Sequence, residues 1–335
     1  MARQENYERK LLVTERVTFI DSILVKKDEV MDILYLGSES GSIATCADFF
    51  NVKEKDTLNC TLFRSQLGDK IIYAKPDTSA VLHLYASEMI GQKWSEPVML
   101  PGLEDTLSQN YPFMLSDGTT LYYASKGEES LGGYDIFMTR WDSDSQRFFK
   151  PENIGMPFNS KANDYLYLVD EFNQLGWFVT DRGQSADTVC VYCFIPNETR
   201  KIYDTSTIGR DTLVALANIS SIRDTWTNQE QVKEGLTRLA TLRNKSQKTT
   251  KSHFHFIVND RITYTTISQF RHEESRKLAD KWLKMVAERN KASKQLEDLR
   301  KEYSVAKAEK KTELAARILP LEQKYEKLIA DIHAL

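Results

Sequence analysis

The chain has 335 residues, of which 41% are hydrophobic and 28% are charged, and its formal net charge is −3. This length supports more than one domain, and the apolar fraction excludes an intrinsically disordered protein. A slightly acidic balance without a basic cluster excludes a typical nucleic-acid-binding domain. No apolar run approaches the roughly 20 residues of a membrane-spanning helix.

Residues 1–60 are predicted to form an N-terminal region of strand and helix. Within it, "ERVTFIDSILV" (15–25) is available as a strand for the sheets that follow. The opening "MARQENYERKLLVTERVTF" lacks the apolar core of a secretory signal peptide. Two interpretations stay open: a cytoplasmic protein, or an exported protein whose numbering begins after its signal.

Residues 61–204 contain a threefold repeat in which a turn precedes an aromatic strand and a second strand follows. The aromatic strands are "LGDKIIYAK" (67–75), "SDGTTLYYASK" (116–126) and "NQLGWFVTDR" (173–182). Their spacing of about 50 residues is typical of one four-stranded propeller blade. We therefore predict a mainly β fold with about three recognisable blades, a small or incomplete propeller because known rings have about four to eight.

Two turns are marked within the second repeat, at Asp117-Gly118 and at Gly132-Gly133, and Asp135 opens the next strand. An Asp-Gly pair commonly supplies the positive φ of a tight turn, and a carboxylate there accepts backbone N–H groups. The segment contains neither a phosphate-binding glycine loop nor a nucleophile elbow. We predict structural turn residues here, and no catalytic residue, cofactor or metal site.

Cys190 and Cys193 have the C-x-x-C spacing of a zinc or redox pair. They lie in the predicted strand "TVCVYCFIP", where residues three apart point to opposite faces, which favours a structural role.

His253 and His255 would share one strand face, as in some metal sites. No third ligand is evident nearby, which favours a half-exposed strand face.

Residues 205–270 are predicted to form a helical segment and a β-hairpin. The helix "TNQEQVKEGLTRLATLRN" (227–244) opens with a capping box, Thr227 with Glu230, and the hairpin "HFHFIVNDRITYTTI" (253–267) could supply further strands to the propeller. Residues 271–335 carry two apolar seams that are one residue out of phase, with Pro320 in the second. This pattern predicts a coiled coil or a helical hairpin.

The segment "SDGTTLYYASKG…LGGYDIFMT" resembles the repeat of TolB-type, WD40-like β-propeller proteins of the bacterial cell envelope. The matching residues are Pro112, Asp117, Gly118, Leu121, Tyr122, Tyr123, Ala124, Ser125, Gly132, Gly133, Tyr134, Asp135, Ile136 and Phe137. The resemblance covers about 140 residues, against the whole chain's 335. It implies that these Asp and Gly residues are blade architecture, and that the protein lies in the periplasm or at the outer membrane.

The predicted function is that of a non-enzymatic interaction scaffold of the cell envelope. It would bind other envelope proteins through a propeller face and self-associate through 271–335, without nucleic acid and without a transmembrane segment. Aromatic residues at loop ends are the predicted interaction residues, because rigid rings bury much area at low entropic cost; burial of these rings between blades is the alternative placement. The residues are Tyr111, Tyr134, Trp141 and Trp177.

Two other functions stay open. A propeller-based hydrolase of glycans or peptides would gather several carboxylates with shifted pKa values in one pocket. A cytoplasmic coiled-coil scaffold would account for the missing signal peptide.

Overall fold

The computed structural model describes residues 2–50, 60–91, 93–104, 107–250, 256–259, 262–264, 272–306 and 308–333. The chain divides into two compact units, residues 1–244 and 245–335. Antiparallel sheets dominate the first unit and helices the second, so the chain is mainly β with C-terminal helices, as the sequence predicts.

The N-terminal part supplies one edge strand to each of two sheets. The segment that connects these two edge strands is held in place by Asp170. The Asp170 carboxylate accepts hydrogen bonds from the Gly37 N–H at 2.6 Å and from the Ser40 hydroxyl at 3.1 Å. The elements are α1 (Ala2–Leu12), β1 (Thr18–Lys26), α2 (Val30–Ile33), β2 (Ser42–Thr45) and α3 (Cys46–Phe50).

The first sheet, sheet A, has the strand order β2-β3-β4-β5-β6, and β7 also pairs with β5. Its further strands are β3 (Thr61–Arg64), β4 (Lys70–Pro76), β5 (Leu82–Ile90), β6 (Lys93–Trp94) and β7 (Val98–Met99).

The second sheet, sheet B, has the order β8-β9-β10-β11, with β12 also paired to β10. Its strands are β8 (Gln109–Met114), β9 (Thr120–Ser125), β10 (Asp135–Asp142), β11 (Arg147–Phe148) and β12 (Glu152–Asn153).

The third sheet, sheet C, is completed by the N-terminal strand. Its strands are β13 (Asp164–Asp170), β14 (Leu175–Thr180) and β15 (Thr188–Ile195), and β1 pairs antiparallel with β15. Each predicted repeat therefore corresponds to one antiparallel sheet, and the predicted strand at 15–25 joins the third. Within the described ranges no closed barrel or propeller ring is found.

The three sheets share one hydrophobic core. Sheets A and B meet through Phe63 and Phe113, whose ring centroids are 5.4 Å apart. Sheets B and C meet through Tyr111 and Tyr165, also 5.4 Å apart. Edge-to-face pairs of this kind stabilise an interface beyond the area that they bury.

Two helices follow the sheets, α4 (Arg210–Ala217) and α5 (Gln229–Thr250). Val232 and Leu239 of α5 belong to the hydrophobic core, and a Cβ on Gly235 would lie 3.0 Å from Ile195 of sheet C. The predicted helix start at Thr227 is wrong by one residue. Oδ1 of Asn228 accepts hydrogen bonds from the backbone N–H of Glu230 at 3.0 Å and from that of Gln231 at 3.3 Å. Asparagine is favoured over threonine as an N-cap residue, which explains the shift.

The second unit contains a β-hairpin and two long helices: β16 (Phe256–Asn259), β17 (Ile262–Tyr264), α6 (Glu273–Val305) and α7 (Ala308–His333). The prediction that these strands extend the propeller is wrong for the described residues, since β16 and β17 pair only with each other. His253 and His255 lie outside the described residues.

The helices α6 and α7 form an antiparallel hairpin. Ion pairs join Glu302 to Lys310 at 2.7 Å near the turn and Glu288 to Lys324 at 3.8 Å farther along. Pro320 lies inside α7, so the break between the helices falls earlier, near Ala306. No helix formed by the described residues has both the length and the apolarity needed to cross a bilayer.

A disulfide joins Cys46, at the start of α3, to Cys60, just before β3, with a sequence separation of 14. Such a crosslink stabilises the fold by restricting the unfolded chain, by about 3 kcal/mol for a loop of this size. We expect dithiothreitol to lower the free energy of unfolding by that amount in urea titrations. A Cys46→Ser/Cys60→Ser variant should have a lower free energy of unfolding than wild type, and dithiothreitol should not lower it further. If dithiothreitol lowered the free energy of unfolding equally in both proteins, the result would contradict the disulfide between Cys46 and Cys60.

Candidate functional sites between the sheets

The predicted interaction residues lie mostly inside the protein. Tyr111, Tyr134 and Trp177 are 4%, 9% and 2% exposed. The rings of Tyr111 and Tyr134 pack edge to face at 5.5 Å. The alternative placement between the sheets is therefore the observed one for Tyr111 and Tyr134, whereas Trp177 is buried in the hydrophobic core on β14. Trp141 is half-buried against Phe148, at 5.1 Å between ring centroids.

The predicted turn residues are held by backbone contacts. Oδ1 of Asp117 accepts the N–H groups of Thr119 at 2.7 Å and Thr120 at 2.8 Å, and Gly118 has φ +67°. At Gly132 and Gly133, neighbouring atoms lie so close to the backbone that there is no room for a side chain. A Cβ on Gly132 would lie 2.3 Å from the Lys161 carbonyl oxygen, and one on Gly133 would lie 2.0 Å from Oδ1 of Asn163.

Asp135 is fully buried at the start of β10. Its Oδ2 accepts the Leu131 N–H at 3.0 Å and Nδ2 of Asn153 at 2.8 Å, whereas no described residue bonds to the buried Oδ1. Burial raises the pKa of this carboxyl to about 7, and the Asp164 carboxylate adds to the shift. The group therefore acts as a turn acceptor that binds a proton more tightly in the folded than in the unfolded state.

This protonation makes stability depend on pH. Because the pKa of Asp135 is higher in the folded than in the unfolded state, its contribution is fully present below pH 4 and is lost as pH rises towards 7. We expect the free energy of unfolding of the Asp135→Asn variant, relative to wild type, to rise between pH 5 and pH 8 in urea titrations. A difference that stays constant across this range would contradict the assignment.

Cys190 and Cys193 are free thiols buried in β15. They pair with different neighbours, since Cys190 lies opposite Thr180 and Cys193 opposite Trp177 on β14. Burial raises the pKa of Cys193 to about 12, with a further contribution from the Asp21 carboxylate. A thiol held in its neutral form is a poor nucleophile and a poor metal ligand, which agrees with a structural role.

A first cleft, here named the acidic cleft, lies between sheets A and B at the ends of their hairpin turns. Its volume is about 390 Å³. Its apolar lining is Phe63, Leu67, Met89, Met114 and Leu115. Of these, Leu67 is 83% exposed, an unusual position for a large apolar side chain.

The charged residues lining the acidic cleft are predominantly negative. They are Glu39, Asp69, Glu88 and Lys70. Lys70 is the only cation among the described residues of the lining, and its Nζ lies 3.9 Å from Oε1 of Glu88. The acidic cleft thus combines an apolar floor with a negative rim, which suits a partner that carries an apolar side chain beside Lys or Arg.

A second cavity, here named the BC pocket, lies between sheets B and C and has a volume of about 310 Å³. Glu15, Tyr122 and Tyr167 line it, and the two tyrosine rings are 4.6 Å apart. Burial raises the pKa of Glu15, and this outweighs the opposing effects of the Asn197 amide and the Arg200 guanidinium. Burial also raises the pKa of Tyr122 to about 12, with the Glu15 carboxylate adding to it.

The carboxylate in the BC pocket is positioned by the segment that follows sheet C. Glu15 forms an isolated antiparallel bridge with Ile202, and its Oε1 accepts Nδ2 of Asn197 at 2.9 Å. The pocket therefore brings one half-buried carboxylate and two phenols together, an arrangement suited to holding hydroxyl or amide groups of a small ligand.

No protein-family model matches the chain, and the search of curated proteins found no matching relative. The sequence did not predict either cavity. Glu15 stands in no motif, and the acidic residues of the first cleft are spread over three separate segments. One available signal is the exposed turn "SQLGD" (65–69), which carries a large apolar residue where a polar one is usual.

Proposed function

We propose that this protein is a non-enzymatic interaction scaffold of the bacterial cell envelope. Its three-sheet domain, a small or incomplete TolB-type propeller, binds partner proteins, and residues 271–335 mediate self-association. The observation that carries the proposal is the acidic cleft, because an exposed apolar anchor site with a predominantly negative rim is typical of a protein-docking surface.

The repeat architecture supports the propeller part of the proposal. Each sheet is an antiparallel meander in chain order, as a blade would be, and the third is completed by a strand from the N-terminus. The Asp and Gly residues of the resemblance hold turns and close backbone contacts. These carboxylates are thereby engaged in structure, which argues for a binding role of the domain over a catalytic one.

The disulfide supports the compartment. Disulfides form and persist in oxidising environments such as the bacterial periplasm, and they are rare in the cytosol. Fractionation of cells should therefore recover the native protein in the envelope fraction, and sequencing its N-terminus should locate the mature start. Recovery in the cytosol with Cys46 and Cys60 as free thiols would contradict this compartment.

Self-association is supported by the surface of the helical hairpin. Several large apolar side chains stay exposed on it: Leu278 at 51%, Tyr303 at 38% and Leu319 at 59%. Two helices alone can bury only part of their apolar surface, and a second hairpin from another copy would cover the remainder as a four-helix bundle.

The docking role is tested by reversing charge at the acidic cleft. Tagged wild type and a Glu39→Lys/Glu88→Lys variant would be compared by co-purification from envelope extracts and mass spectrometry. A Glu96→Lys/Glu128→Lys variant is the matched control, because it makes the same charge change at exposed positions that do not line the cleft. We expect partners to be lost only from the cleft variant, and equal recovery in all three would overturn the proposal.

A further inference from the structure

The BC pocket presents hydrogen-bonding groups that the protein itself leaves unused. Oε1 of Glu15 is bonded to Asn197, but Oε2 receives no hydrogen bond from the described residues. Tyr122 and Tyr167 line the same pocket, and neither hydroxyl bonds to another described residue. All three side chains are half-buried and line the open pocket, so water or a ligand completes their hydrogen bonding.

The charges around the BC pocket balance one another. Exposed residues at its rim are two cations, Arg140 and Arg200, and two anions, Glu152 and Glu198. The more buried polar lining is uncharged apart from Glu15, and consists of phenols and the amides of Asn153 and Asn197. The rim charges therefore favour neither a strongly anionic nor a strongly cationic ligand, and Glu15 adds one carboxylate inside the pocket.

Apolar surface forms the rest of the lining. Met138 and Ile154 are the half-buried apolar residues of the lining, and the buried side chains of Val17, Phe158 and Phe194 lie behind them. A volume of about 310 Å³ is at the lower end of the range for small-molecule sites. The pocket thus combines hydroxyl-binding groups with a smaller apolar part, and a sugar ring likewise carries both hydroxyl and C–H groups.

We propose that the BC pocket binds a neutral, polyhydroxylated ligand of the size of a mono- or disaccharide. Ligand hydroxyls donate to Oε2 of Glu15 and exchange hydrogen bonds with the hydroxyls of Tyr122 and Tyr167. The C–H groups of the sugar contact the half-buried side chains of Met138 and Ile154. This site is separate from the acidic cleft, so its occupancy does not depend on the docking role proposed above.

The test uses the purified full-length protein and four probes: glucose, N-acetylglucosamine, maltose and the zwitterionic dipeptide Gly-Gly. Binding is measured by saturation-transfer NMR and by calorimetry. We expect saturable binding of at least one of the three sugars. Each of the variants Tyr122→Phe and Tyr167→Phe, which remove one hydroxyl and keep the ring, should lower the affinity about fivefold to tenfold.

The matched control is Tyr85→Phe, since Tyr85 lies on β5 of sheet A, away from the BC pocket. It should bind sugar as wild type does, and so should the charge-reversed variant of the acidic cleft. Three results would each overturn the inference: binding of none of the three sugars, preferential binding of Gly-Gly, or unchanged affinity in both pocket variants while circular dichroism shows them folded.

Discussion

Replacing Arg182 with alanine is expected to lower the free energy of unfolding by about 3–5 kcal/mol, because the change leaves a buried charge without its partner. Nη2 of Arg182 lies 2.9 Å from Oδ1 of Asp164, and the two side chains are 11% and 0% exposed. The same guanidinium donates to the carbonyl oxygens of Pro157 at 2.9 Å and Phe158 at 2.8 Å. One side chain therefore ties the start of sheet C to the segment that precedes it.

Urea titrations at pH 7 measure this loss, with Arg147→Ala as the control. Nη2 of Arg147 lies 3.6 Å from Glu104, and both side chains are more than half exposed. Exposed pairs contribute about 0–1 kcal/mol, so the control should stay close to wild type. A loss below about 1 kcal/mol for Arg182→Ala would show that the buried pair does not hold the sheets as described.

Replacing Phe158 with alanine should cost about 3–5 kcal/mol of unfolding free energy, because it opens a cavity where several rings meet. Phe158 is 1% exposed. Its ring centroid lies 4.8 Å from that of Tyr167, 5.1 Å from Phe194 and 5.5 Å from Phe178. A ring in such a position loses both its transfer free energy and its packing contacts.

The matched substitution is Phe172→Ala, since Phe172 is 63% exposed in the turn after β13. Its effect should stay within about 0.5 kcal/mol. Thermal and urea unfolding of the two variants would give this contrast directly. Similar losses in both variants would contradict the placement of Phe158 at the centre of the aromatic cluster.

The repeated hairpins were predictable because their signals are local. In "SDGTTLYYAS" a turn pair stands directly before a run that contains two β-branched and two aromatic residues, and β9 begins at Thr120 as this pattern predicts. The pairing of β1 with β15 has no such signal. It joins Leu24 to Cys190, residues far apart in the chain, and only the packing of the whole domain determines it.

The positions of the predicted interaction residues were harder to predict, because an aromatic ring at a loop end can lie either at the surface or between the sheets. The β8–β9 register shifts between Asn110 and Phe113, and Tyr111 adopts φ +56°. Its buried ring packs against Tyr165 of sheet C. The same limit applies to Glu15, whose surroundings come from sheets B and C and from the residues that follow them.

The most direct test of the scaffold function is co-purification of the tagged protein from envelope extracts, with and without residues 271–335. Residues 1–244 form a compact unit of their own, so the shortened chain keeps the complete three-sheet domain. We predict that the full chain recovers partners together with untagged copies of itself, and that the shortened chain loses those copies but keeps the partners held by the acidic cleft. Recovery of both forms alone would contradict the scaffold function.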